Sequence, residues 1–278
     1  MHLFVDQLTN VDFSYLDPHR GLVGETWWAS AVLEGALDEQ GMVCDFGIVK
    51  KTLRNWLDLE LDHRLLVPIR SPALQHCLHD DKITLTWHFG HGQHLTMTAP
   101  QQAVALVDAE VINDLTVAEW SITQLSSSFP GSIEQLSLTF ENENIHGANY
   151  HYSHGLKKHD GNCQRIAHGH RSRIEIFIDG ERNPSLEQQW ANTWEDIYLG
   201  TVEDLSNQTE EHLHFHYHAQ QGEFTLSLPK DCCYLMDTDT TVELIAAHLA
   251  QEIKRDHPSV EVCVRAFEGV NKGAMVAL

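Results

Sequence analysis

Along much of the chain, apolar and polar residues alternate with the two-residue period of half-buried strands. KITLTWHFGHGQHLTMTAP, from Lys82, and HLHFHYHAQQGEFTLSLP, from His212, each read as two such runs joined by a short turn containing glycine. Each therefore predicts a hairpin. Gly24–Gly35 (GETWWASAVLEG) and Gly169–Gly180 (GHRSRIEIFIDG) are 12-residue strand-like runs bounded by glycines. The apolar spacing becomes helical in LTVAEWSITQL, from Leu115, and DTTVELIAAHLA, from Asp239, with Thr or Asp placed to cap each start. GMVCDFGIVKKTLRNWLDLELDHRLLVP predicts a strand ending at Asp45-Phe46, then an amphipathic helix from about Gly47 that runs into Leu61-Asp62-His63.

The order of these features repeats. Each half closes on a short strand ending in Phe-Glu, followed by Gly-Ala: Phe140, Glu141, Gly147 and Ala148 in the first, Phe267, Glu268, Gly273 and Ala274 in the second. The expected organisation is two tandem units, 1–146 and 147–278, each ββ, helix, hairpin, helix, strand. The fold class is α+β with antiparallel strands. No linker or low-complexity segment separates the halves.

No run of 18 apolar residues is present, so no membrane span is expected, and the first residues lack the basic-then-apolar pattern of a secretory leader. The six cysteines are scattered rather than arranged as a disulfide framework, which suits a reducing cytoplasm. A formal net charge of -22 argues against nucleic-acid and anionic-membrane partners. From His154 to Arg173, however, Lys157, Lys158, Arg165, Arg171 and Arg173 face only Asp160. This basic island suits an anionic substrate such as a phosphate ester; solvated flanking residues are the plainer reading.

The island surrounds the candidate chemistry. His154, Cys163, His168 and His170 fall within 17 residues. On a strand, His168 and His170 point to the same face and both reach one metal ion. His154, in the apolar and aromatic segment Ala148–Leu156, supplies a third imidazole from a neighbouring strand. Three imidazoles with an open fourth position form a catalytic rather than a structural zinc site, with Cys163 beside the metal as nucleophile or base. In a chain of 20 histidines, a His-x-His pair also fits a solvated strand edge. The same applies to His212, His214, His216 and His218, an alternating face that reads as the polar outside of a hairpin or as a second metal site. Where the second half has His168-Gly169-His170, the first has Val23-Gly24-Glu25, and Tyr15 stands near the place of His154. Conversely, only the first half has the Asp62-His63 pair. Each half holds part of a site and lacks the rest.

Taken together, His154, Cys163, His168-Gly169-His170, Gly41-Met42-Val43-Cys44-Asp45-Phe46, Leu61-Asp62-His63, Thr241-x-Glu243 and Glu268 resemble the 6-pyruvoyltetrahydropterin synthase family, which includes 6-carboxytetrahydropterin synthase. The chain departs from the family pattern in being a tandem pair, in carrying Asp-His ahead of the zinc ligands, and in having four residues between Cys163 and His168 where three are usual in the bacterial carboxy type. The resemblance implies the tunnelling fold, oligomerising into a barrel, with sites at unit interfaces. It implies Zn²⁺ on His154, His168 and His170, with Cys163 as base and Asp62 and His63 as a proton relay. Glu268 would anchor the pterin, helped by Thr240 and Thr241, with Arg165 near the substrate. The implied substrate is 7,8-dihydroneopterin triphosphate, giving 6-carboxytetrahydropterin for a queuosine-type pathway. The pyruvoyl-forming reaction and a non-catalytic pterin- or metal-binding protein are the alternatives. Whether the composite site lies within one chain or between chains stays open at this level.

Overall fold

The structure is a computed structural model describing residues 1–125, 128–129 and 131–278. The first half runs β1 (His2–Asp17), β2 (Gly21–Gly35), α1 (Phe46–Glu60), β3 (Leu65–Pro68), β4 (Leu74–His79), β5 (Lys82–Phe89), β6 (Gln93–Pro100), β7 (Val104–Val107), α2 (Asp114–Leu125) and β8 (Ile133–Asn142). The second half runs β9 (Asn149–His154), β10 (His168–Ile178), β11 (Glu181–Arg182), α3 (Pro184–Thr193), β12 (Ile197–Thr201), β13 (Leu205–Gln208), β14 (His212–Ala219), β15 (Gly222–Pro229), β16 (Cys233–Met236), α4 (Val242–Asp256), β17 (Val262–Phe267) and β18 (Gly273–Ala277).

Each half builds a sheet around its long antiparallel pair. The first is ordered β7-β3-β1-β2-β8, the second β16-β12-β9-β10-β17-β18 with β11 on β10. The short strands β3, β7, β12 and β16 join in parallel. The hairpins predicted at Lys82 and His212 are antiparallel, and they merge across the halves into one six-stranded sheet, β13-β14-β15-β6-β5-β4. The junction pairs Thr98, Met97 and Thr96 with Thr225, Leu226 and Ser227. One apolar core is therefore shared, packing Ile83, Leu85 and Trp87 with Phe215, Tyr217 and Phe224, while each half keeps a second core of its own. On β14, Leu213, Phe215 and Tyr217 are buried whereas His212, His214, His216 and His218 point the other way.

The helices follow from local chemistry. In α1 the apolar positions Val49, Leu53 and Leu57 recur every four residues and are buried. The segment before it is not the expected strand. Asp45 accepts from the backbone N–H groups of Gly47 and Ile48, so it caps the helix instead of extending a ladder. Thr241 caps α4 through Leu244 N, and Lys254 and Arg255 complement its C-terminal end.

The two sheets cross at glycines. A Cβ on Gly24 would lie 1.9 Å from the carbonyl oxygen of Tyr152, and one on Gly169 would lie 2.7 Å from Gly24 Cα. Without side chains there, backbones touch and Ser14 Oγ meets Ser153 Oγ at 2.7 Å. With helices outside and the other half inside, Val11–Leu16 is buried on both strand faces. Among the described residues, no helix is long and apolar enough to cross a membrane.

Candidate metal centre and active site

The pairing of β9 with β10 sets His154 opposite His168 and Tyr152 opposite His170. The three imidazoles are fully buried, and one ring nitrogen of each lies within 4.8 Å of the others. Each Nδ1 faces an oxygen: Thr240 O and Oγ1 at 3.0 Å for His154, Arg165 O at 2.9 Å for His168, and Asp12 Oδ1 at 3.3 Å for His170. Their Nε2 atoms have no hydrogen-bonding partner among the described residues. Buried polar atoms without partners are costly, so three converging ones are matched to a shared cation. Burial, and then the neighbouring imidazoles, hold His154 and His168 well below the ordinary imidazole range. Their lone pairs are therefore free for a cation, and three converging imidazoles, each with its Nδ1 facing an outer oxygen, suit a divalent transition metal.

The first half supplies the neighbouring pair. Chain reversal after α1 puts His63 in the left-handed region, φ 56°. The turn is pinned to β1 by His63 N on Asp12 O at 2.6 Å and by Asp12 N on Asp62 Oδ1 at 2.9 Å. The Asp62 carboxylate contacts His63 Nδ1. Burial opposes charge on His63, but Asp62 and Cys163 outweigh it and lift the imidazole to about 10. His63, Cys163 and His168 bring one ligand atom each within 4.8 Å, and the His63 ring centre is 5.1 Å from that of His168. Half-buried Cys163 sits in a single turn held by Cys163 O accepting from Leu156 N at 2.9 Å. The two halves of one chain thus meet at this cluster. Glu268, at the end of β17, has Oε1 3.6 Å from His170 Nε2 and is partly exposed.

Two expectations change on folding. Arg165 is 3 % exposed; its Nε donates to Gln221 Oε1 at 3.1 Å and its Nη1 to His63 O at 3.4 Å. Burial, with Arg64 nearby, lowers it to about 10. It braces the His63 turn rather than facing a substrate. Thr241 Oγ1 accepts from Leu244 N at the helix cap, which leaves its O–H to donate elsewhere, and buried Thr240 sets its Oγ1 3.0 Å from His154 Nδ1. Three of the five cations of the basic island are paired with acids from elsewhere: Lys157 with Glu203 and Asp204, Lys158 with Glu203 and Asp239, Arg173 with Glu143.

Sequence reasoning missed Asp12 and Lys272. Asp12 is 1 % exposed, beside His170, with Thr26 Oγ1 donating at 2.6 Å and Lys272 Nζ at 3.1 Å. Burial works against its charge, yet His170, Lys272 and Thr26 hold its carboxyl well below the usual range. The available signal was an acid set between Val11 and Phe13 in an apolar strand.

The family model for 6-pyruvoyl tetrahydropterin synthase matches residues 12–143 and again residues 143–277. The chain belongs to that family. It carries two copies of the family unit in tandem, each α+β. The 6-pyruvoyltetrahydropterin synthase of Plasmodium vivax is similar at 19 % identity and TM-score 0.38, over 51 % of this chain and 98 % of that one. The Plasmodium falciparum enzyme is similar at 16 % and 0.37, over the same shares. No curated protein matches the chain.

Proposed function

We propose that this family member is a zinc-dependent lyase that converts 7,8-dihydroneopterin triphosphate and water to 6-carboxytetrahydropterin, acetaldehyde and triphosphate at one composite site per chain. The observation that carries the reading is the approach of His63 from one half to Cys163 and His168 of the other, beside three buried imidazoles whose Nε2 atoms lack partners among the described residues. His154, His168 and His170 would hold the zinc, which supplies Lewis acidity to the substrate's side-chain hydroxyls when bound. Cys163, as thiolate, takes the proton from the activated carbon. His63, oriented by Asp62, donates or accepts in reprotonation. Glu268 accepts the two parallel N–H bonds of the pterin amino edge.

The unit boundary near residue 146 and assembly into a homo-oligomer belong to the same proposal. Six free thiols agree with a cytoplasmic setting, and the net charge of -22 with a small-molecule rather than nucleic-acid partner. The test pairs elemental analysis with product mass spectrometry. The expected result is one zinc per chain, with 6-carboxytetrahydropterin formed and lost in Cys163→Ala. Two zincs per chain would overturn the single-site reading. A 6-pyruvoyl product would reassign the reaction, and zinc without product would favour a binding protein.

A further inference from the structure

The halves meet about a pseudo-two-fold axis near Ser14–Ser153 and Gly24–Gly169, so the composite site has a counterpart. Tyr15 lies opposite Val23 as His154 lies opposite His168, and Glu25 follows Val23 by two as His170 follows His168. After α3, Asp196 takes the left-handed conformation (φ 54°) that His63 takes after α1. Arg20 grips Asp196 as Arg165 touches the His63 turn. Glu141 follows Phe140 as Glu268 follows Phe267.

The counterpart lacks the metal ligands and is not filled in. A cavity of about 560 Å³ opens there, walled by Tyr15, Trp27 and Phe140, with Glu25, Glu141 and Arg171 among its polar lining. Glu25 is 5 % exposed. Its Oε1 accepts from Thr26 N at 2.9 Å. Its Oε2 has no donor within hydrogen-bond reach among the described residues; His151 Nδ1, 3.9 Å away, faces Gly24 O at 2.7 Å instead. An oxygen of Glu25 that faces the cavity without a protein donor can accept an N–H from a ligand there. Glu141 offers a second carboxylate, Arg171 a donor for a carbonyl, and the aromatic walls a flat apolar surface.

We propose that this pocket binds a planar heterocycle with an amidine-type N–H edge and a ring carbonyl, the aminopyrimidinone class, and holds it without turnover. Val23, Tyr15 and Glu25 cannot reproduce a three-imidazole centre, so no reaction is assigned to the pocket. The choice of ring rests on the proposed function, because the same ring is read there as substrate.

The experiment titrates the metal-loaded protein with pterin (2-amino-4-oxopteridine) by calorimetry. Two equivalents should bind per chain. Glu141→Gln, at an exposed position, and Glu25→Gln should each weaken one event by about tenfold or more and leave product formation intact. Glu268→Gln should weaken the other event and stop turnover. One equivalent per chain, unaffected by Glu141→Gln, overturns this inference and leaves the proposed function standing, as do two equivalents that both survive Glu141→Gln and Glu25→Gln. No binding at all overturns both.

Discussion

The imidazole of His63 lies 5.1 Å, centre to centre, from that of His168, although the first comes from a helix-terminal turn of one half and the second from a strand of the other. The Asp62 carboxylate on the far nitrogen of His63 orients the ring toward this cluster. Asp62→Asn would release that orientation without touching a metal ligand. We expect kcat to fall about 100-fold, the scale of a misplaced acid–base group, with bound zinc unchanged. Rate and metal content measured on the same sample check this; loss of zinc in parallel with rate would contradict it.

Asp12 reaches across the halves to His170 Nδ1 at 3.3 Å. An outer carboxylate orients a ligating imidazole and raises its basicity. Asp12→Asn should weaken metal affinity by about 10- to 100-fold, read by competition with a chromophoric chelator. Unaltered affinity would reduce Asp12 to a packing role with Thr26 and Lys272.

Burial lifts the carboxyl of Glu25 to about 7 from an ordinary 4.5, against the pull of Thr26 N and Arg171. The folded state therefore holds this proton more tightly than the unfolded state. The associated stability is complete below about pH 4.5 and is lost as pH rises through about 7. Glu25→Gln should match the wild type at pH 4 and exceed it by about 3 kcal/mol at pH 8, as measured by denaturant unfolding. A difference that does not vary with pH would show that Glu25 is not the titrating group.

Gly24 admits no side chain, because a Cβ would sit 1.9 Å from the Tyr152 carbonyl oxygen. Gly24→Ala forces backbone, not a flexible side chain, to move. The expected cost is about 3 kcal/mol, together with a displaced His170 strand and weakened zinc binding. Gly41→Ala serves as a contrast: it has open space around it, at φ 78°, and so bears only local backbone strain. Equal behaviour of the two variants would refute the close-approach argument.

Much of the fold was legible in advance. The hairpins at Lys82 and His212 announced themselves through alternation, and α4 through Thr241 and its apolar spacing, because these signals act over a few residues. The placement of His168 and His170 on one strand face is likewise local. At Asp45 the expected strand end is a helix cap instead, because the first N–H groups of the helix, at Gly47 and Ile48, take its carboxylate as their partner. Asp12 showed only as an acid in an apolar strand, because His170, which it orients, lies in the other half.

By itself, the sequence determined the repeat, the α+β character, the strand pair bearing the histidines and the unequal contents of the two halves. The tertiary structure alone decided that Asp62-His63 and the histidine trio meet within one chain, and that a cavity persists at the counterpart position. It also decided that Lys157, Lys158 and Arg173 of the basic island pair with Glu203, Asp204, Asp239 and Glu143. The physical reason is range. Periodicity and capping are set by neighbours in sequence, whereas charge partners and composite sites are set by which surfaces come together, here through the contact at Gly24 and Gly169.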